Sequence, residues 1–258
     1  MQPGDVVALN FNVGLVTLSF VISALGAYVS LLAASRIRGV DNRAHLGYVA
    51  VAAVALGGIG IWGMHFIGMI AQVLPFSIGY SLSSTLISLI VAIIFSGAAL
   101  WFVGSARFSF KRCVIAGILA GVGVAAMHYI GMGSMRMDAV FEWNAGLVAV
   151  SVLIAVVAAT AALWLAFNVH DDVPRIGAAL VMAVAVCGMH YTGAAAGVIV
   201  CTTPRVFHSL QLDGGLLPYA VFLMSVITLV VMRVELYRSS KENQLKMASK
   251  LEKVLNTR

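Results

Sequence analysis

Three short segments pair a methionine with a histidine: GMHFIGM at residues 63–69, AMHYIGM at 126–132 and GMHYTGA at 188–194. Neutral imidazole is a very common metal ligand, and a thioether adds a soft donor beside it. His65 and Met69 stand four residues apart, as do His128 and Met132, so on a helix each pair shares a face. The third copy has Ala194 at that position, while Cys187, three residues before His190, offers a thiol on the same face. Met64, Met127 and Met189 lie about 100° round the helix from their histidines, within the swing of a long side chain. Imidazole with thioether favours copper; zinc prefers thiolate or carboxylate beside histidine. Haem iron also takes His and Met, but a macrocycle needs a wide cavity. Methionine fills gaps in cores as well, and for each one taken singly packing is the simpler reading.

The elements that must position these residues follow from hydropathy. The chain has 258 residues, 61% hydrophobic and 10% charged, with mean hydropathy +1.01. A soluble domain is about 25% charged, so the composition indicates a polytopic membrane protein. The net charge of +6 sits in short clusters between apolar runs, which suits lipid head groups and leaves no basic domain for nucleic acid. Three cysteines without a CxxC pair give no disulfide framework. The first apolar run lacks a basic lead and is long enough to span, so no cleavable signal peptide is expected.

Apolar runs predict seven transmembrane helices, at about 11–34, 46–70, 80–103, 113–135, 145–167, 175–200 and 216–236. The fold class expected is an all-α membrane protein: three helix hairpins plus one helix. Fourteen of the sixteen Lys and Arg fall on one side, among them Arg36, Arg38, Arg43, Arg107, Lys111, Arg112, Arg175 and seven in the tail. Only Arg136 and Arg205 fall on the other, so the N-terminus is expected outside and the C-terminus in the cytoplasm. Residues 1–236 form the membrane domain in this reading. Residues 237–258 form a charged helical tail, a candidate linker and dimer seam or a helix lying on lipid heads.

His65 and His128 are 63 residues apart, and His128 and His190 are 62 apart. Each interval is one hairpin, so all three histidines ride on even-numbered helices that run the same way. Counting from the basic anchors puts them at a shared depth in the outer half of the bilayer, with His65 slightly further out. An ionisable group inside a span normally faces protein, so convergence on one ion is expected. Gly57, Gly60 and Gly63 read as a stripe on the second helix, and Gly117 with Gly121, and Gly193 with Gly197, as close-packing pairs. Close helices suit a small ion better than a macrocycle. Tyr129 and Tyr191, with Phe66 in the first copy, read as interface-belt aromatics ahead of donors around the site, and Trp62 as packing. Cys113 and Cys201 read as structural. Asn10 and Asn12 read as caps. His45, His170 and His208 fall at connections.

The repeated Met-His-(Tyr/Phe)-(Thr/Ile) resembles the MHYT domain family of bacterial integral-membrane sensors, over about residues 8–235; MHYT at 189–192 matches letter for letter, MHFI and MHYI nearly so. The resemblance implies a multi-pass protein of the bacterial inner membrane with a copper site near the periplasm. Its ligand positions fall on Met64, His65, Met127, His128, Met189 and His190, while Met69, Met132 and Cys187 are further candidates from spacing. It also implies sensing of a diatomic gas such as oxygen, carbon monoxide or nitric oxide, and coupling to GGDEF or EAL domains of cyclic di-GMP signalling. A copper carrier that serves an oxidase is the rival reading. With no paired carboxylates, no Ser-His-Asp set and no HExxH, an enzyme is not expected.

Overall fold

A computed structural model of the chain describes residues 2–38, 44–169, 171–203, 210–213 and 217–255. Arg43, His170, Arg205, His208 and Arg258 lie outside the described residues. Helices α1 (Val13–Ala34), α2 (Leu46–Ala71), α3 (Leu82–Gly104), α4 (Phe110–Met132), α5 (Ala145–Asn168) and α6 (Asp172–Ala195) are each long and apolar enough to cross a membrane. A single helix of 39 residues, α7 (Leu217–Leu255), follows. Side-chain amides open two helices: Asn12 accepts from the Leu15 N–H and Asn144 from the Leu147 N–H, both at 3.1 Å. Capping by Asn12 agrees with the sequence.

The six spans form three hairpins around one axis. Helices α2, α4 and α6 meet at the centre, and each odd helix packs between two of them. Helix α1 touches α2 and α6, α3 touches α2 and α4, and α5 touches α4 and α6. Leu86, Ile90 and Ile94 on α3 and Leu153 and Val157 on α5 are exposed, as apolar side chains that meet lipid must be. Helix α7 packs against α1 and α2 and leaves the other two hairpins alone among the helix pairs with extensive contact.

The expectation of an all-helical chain needs correction. Among the described residues five short strands gather where the even helices end: β1 (Gly79–Ser81), β2 (Met135–Arg136), β3 (Ala139–Trp143), β4 (Gly197–Cys201) and β5 (Gln211–Asp213). Strand β1 pairs antiparallel with β2 and β5, and β3 with β4. The spans read at 113–135 and 175–200 therefore stop earlier, at Met132 and Ala195. Hydropathy alone cannot separate an apolar strand such as GVIVC from the last turn of a helix, because the β-branched run that favours a strand is equally apolar.

Helix α2 departs from α geometry over Val54–Gly63, where it is a π-helix. Its wider turn breaks the expected glycine stripe, since residues three apart no longer align. Gly57 meets Ala92 and Ser96 of α3, Gly60 meets Ser23 and Ala27 of α1, and Gly63 meets Ser225 of α7. Gly117 and Gly121 do let α4 close on α5, against Thr160 and Val156. Gly193 faces an imidazole, and Gly197, in β4, lies under Phe141 and Trp143, so that pair is not a helix-packing stripe.

A methyl group on Gly121 would meet the Val156 backbone, whereas one on Gly177 would enter open space. Gly121→Ala should therefore lower stability by about 1–3 kcal/mol. Gly177→Ala should leave it unchanged or slightly raised, both read by thermal unfolding in detergent.

Candidate metal centre

The even helices bring His65, His128 and His190 to the axis, where they are 1%, 0% and 1% exposed. Their Nδ1 atoms form a triangle: His65 to His190 is 2.9 Å, His128 to His65 3.2 Å, and His190 to His128 3.4 Å. The shared depth read from the sequence is what the structure contains. The rings stand edge to face, with centroids 4.9 to 5.2 Å apart. No Asp, Glu or Cys joins this group among the described residues.

Each ring is held from behind by a glycine of another repeat. A methyl group on Gly131 would collide with Nε2 of His65, one on Gly193 with Nε2 of His128, and one on Gly68 with Nε2 of His190. The contacts close a ring from α2 to α4 to α6 and back to α2. Each glycine stands three residues after a histidine, so M-H-x-x-G recurs three times in the sequence. That repeat is the sequence signal for these glycines.

Aromatic side chains tie the centre to the outer helices in the same cyclic order. Tyr129 Oη lies 2.6 Å from Ser151 Oγ on α5, and Tyr191 Oη lies 3.0 Å from Ser19 Oγ on α1. Each serine hydroxyl is already donated to a carbonyl three residues back, Val148 and Val16, so the tyrosines donate. The first repeat has Phe66 where the others have tyrosine. There Trp62, one turn earlier, donates from Nε1 to Ser88 Oγ at 2.9 Å, and Ser88 is bound to the Thr85 carbonyl. Tyr129 and Tyr191 thus take the second of their two readings, as donors around the site, while Trp62 packs as expected and donates a hydrogen bond as well. Ser88 and Ser151 stand 63 residues apart, the interval between His65 and His128, and that was the missed sequence signal.

The other candidates take separate places. Met64, Met127, Met189, Met69 and Met132 are all buried. Met127 and Met189 pack with Ile61, Val124 and Ala155, while Met69 and Met132 belong to the larger core with Phe66 and Tyr80. Cys187 is half-buried and lines a surface groove with Phe20 and Tyr191, apart from the three-histidine group. Cys113 and Cys201 are buried, and Cys113 Sγ lies 3.5 Å from the Thr160 carbonyl.

Three neutral imidazoles cannot satisfy one another in this triangle. With every proton on Nε2, three lone pairs face each other at about 3 Å; with every proton on Nδ1, three hydrogens do. One proton shared along one side still leaves the third lone pair unmatched. None of the Nε2 atoms, which face glycine backbone, has a hydrogen bond of normal geometry. A cation satisfies all three lone pairs together. The point equidistant from the nitrogens is about 1.8 Å from each, close to the 2.0–2.1 Å of a metal–imidazole bond, so the three Nδ1 atoms would hold one ion together. The residues fit a metal ion.

Comparison with known proteins agrees with this plan. Residues 58–116 and 121–179 each match the family model MHYT, described as a bacterial signalling protein N-terminal repeat. Each match starts in an even helix ahead of its histidine and runs into the next even helix. The bifunctional diguanylate cyclase/cyclic di-GMP phosphodiesterase MucR of Pseudomonas aeruginosa is 38% identical over 241 residues, 92% of this chain and 35% of that protein. The cyclic di-GMP phosphodiesterase NbdA of the same organism is 33% identical over 195 residues, 73% of this chain and 25% of that protein. The signalling protein YkoW of Bacillus subtilis is 27% identical over 196 residues, 72% of this chain and 24% of that protein. The chain thus spans about a third or less of the length of these relatives. No solved structure matches it. With the repeat found twice and a third Met-His pair on the same plan, this chain belongs to the MHYT family.

Proposed function

We propose that the chain is a membrane sensory module whose His65, His128 and His190 hold one copper ion, and that it is not an enzyme. The observation that carries this reading is the Nδ1 triangle with no carboxylate beside it. Burying charge without a counter-charge is costly, and a single positive charge costs least, so neutral nitrogen donors alone favour Cu(I) over a divalent ion. Met64, Met127 and Met189, with Met69 and Met132, are the thioethers near enough in sequence to complete the shell. Bound copper would supply a soft centre able to take a diatomic gas or change oxidation state.

The chain's own residues do the rest. The three histidines come from three hairpins, so any change in the spacing of their nitrogens moves those hairpins against one another. Signalling requires a ligand that binds two such arrangements with different affinity. The Tyr129–Ser151, Tyr191–Ser19 and Trp62–Ser88 tethers pass a displacement of an inner helix to an outer one. Helix α7, as a seventh span with its tail in the cytoplasm and the N-terminus outside, would carry it inward. The names of MucR and NbdA support cyclic di-GMP turnover as the output of a joined or partner domain, and the proposed location is a bacterial inner membrane. Full burial of the histidines favours retention of the ion over its transfer, which argues against a carrier.

His128→Ala should reduce bound copper from about one per chain to near zero by elemental analysis of detergent-purified protein; unchanged content would overturn the assignment. Gly131→Ala keeps every histidine but drives a methyl into the His65 ring. Its copper affinity, measured by competition with a Cu(I) chelator, should fall about 10–100-fold. Gly133→Ala, which meets only carbonyls of its own helix, should bind as the parent does.

A further inference from the structure

Helix α7 turns two faces in opposite directions. Val221, Ser225, Leu229 and Leu236 are buried, on the side where Gly63 and Arg36 of the first hairpin meet it. About 160° round the helix from them, Leu223, Ile227, Val230, Val234 and Tyr237 are 41–59% exposed. These five are spaced alternately four and three residues apart, and the same spacing runs on without a break through Lys241, Gln244, Ala248, Leu251 and Leu255. That is the heptad pattern, with Ile227, Val234 and Lys241 at a positions and Leu223, Val230 and Leu251 at d. Where a helix meets lipid, apolar residues at every position are ordinary, so the segment beyond decides the register. There Glu242, Asn243, Lys246, Ser249, Lys250 and Lys253 fill every b, c and f position, while every apolar residue of 245–255 falls at a, d, e or g.

We infer that α7 pairs with α7 of a second copy of this chain, in a parallel, left-handed coiled coil that starts inside the bilayer and continues past it. Pairing inside the bilayer rests on α7 as the proposed seventh span; the register of the tail does not. Two copies inserted the same way in one membrane can pair only in parallel. Ile227 and Val234 at a favour two strands, and a single lysine at a, Lys241, fixes the register at some cost in stability. The 3.5-residue period sets the left hand. Length gives a second argument. The 39 residues of α7 reach about 58 Å, and a bilayer core takes about 20 of them. The remaining turns, about 28 Å, stay helical to Leu255, with Lys241, Gln244 and Leu245 exposed. A lone helix of that length is marginal in water, so its apolar stripe needs a partner. Arg233 at g and Arg238 at e would repel across the pair. Glu235, 3.4 Å from Arg238, offsets part of this, and lipid phosphates at that level offset more.

Disulfide scanning in cell membranes tests the pairing. Single cysteines at residues 242–251 are oxidised with iodine, and the parent chain is the control for its own three cysteines. Cross-linked dimer should peak for Gln244→Cys, Ala248→Cys and Leu251→Cys, and stay near the parent level for Lys246→Cys, Ser249→Cys and Lys250→Cys. Ile227→Cys should cross-link as well, which carries the seam into the bilayer. In the Gln244→Cys chain, Leu251→Asp should remove most of the cross-link, while Lys250→Asp, one residue away at a c position, should leave it unchanged. Equal yields all round the helix, peaks at b, c and f positions, or a cross-link indifferent to Leu251→Asp would overturn the inference. Topology is read apart from pairing: the Ser249→Cys thiol should react with a membrane-impermeant maleimide only after the cells are opened. Labelling of intact cells together with the periodic cross-link removes the seventh-span reading and leaves the tail register standing. Copper measured on the same samples keeps the metal reading separate, since a metal-free chain that still cross-links at a and d removes that reading alone.

Discussion

Three ring nitrogens point at one another in the dry centre of the bundle, and the arrangement of the chain follows from holding them there. An unpaired polar atom in an apolar interior costs free energy that packing elsewhere must offset. The protein concentrates that cost at one place and surrounds it with rigid parts. The odd helices wall the imidazoles off from lipid, and the strands β1 to β5 tie the nearby helix ends together.

Rigidity around the triangle comes from small parts used three times. A glycine behind each ring lets neighbouring helices approach until imidazole touches backbone, a distance no side chain would allow. A buried serine on each odd helix spends its proton on its own helix and keeps its oxygen for an aromatic donor on the even helix before it in the ring. In the first repeat the donor is Trp62 instead of the residue after histidine, and the Trp62 and Phe66 rings, tilted by 39° with centroids 4.6 Å apart, fill the space together. The chemistry of the tether survives a change in the residue that supplies it.

Much of this was legible beforehand, because hydropathy and interval are long-range signals. The hairpin plan, the common depth of His65, His128 and His190, and their convergence all follow from spacing and from the cost of burying an imidazole in lipid. The short strands were hidden because Val198, Ile199 and Val200 are as apolar as a helix end, and only pairing with β3 distinguishes them. The π segment was hidden for another reason: a hydrogen-bond register is set by how α1 and α3 crowd Gly57 and Gly60, which no local window contains. The roles of Gly68, Gly131 and Gly193 belong to contacts between repeats, so they become visible only when the three copies are aligned on their histidines.

Helix α7 lies outside the threefold plan. It rests on the first hairpin, where Gly63 faces Ser225 and the Arg36 guanidinium donates to the Leu236 carbonyl at 2.7 Å. A ring of three equal units has no intrinsic direction, so an event at its centre could emerge through any of them. Attachment of one exit rod to one unit singles out a spoke of the wheel. It also frees the sequences of the other two to drift without altering what the rod is fastened to.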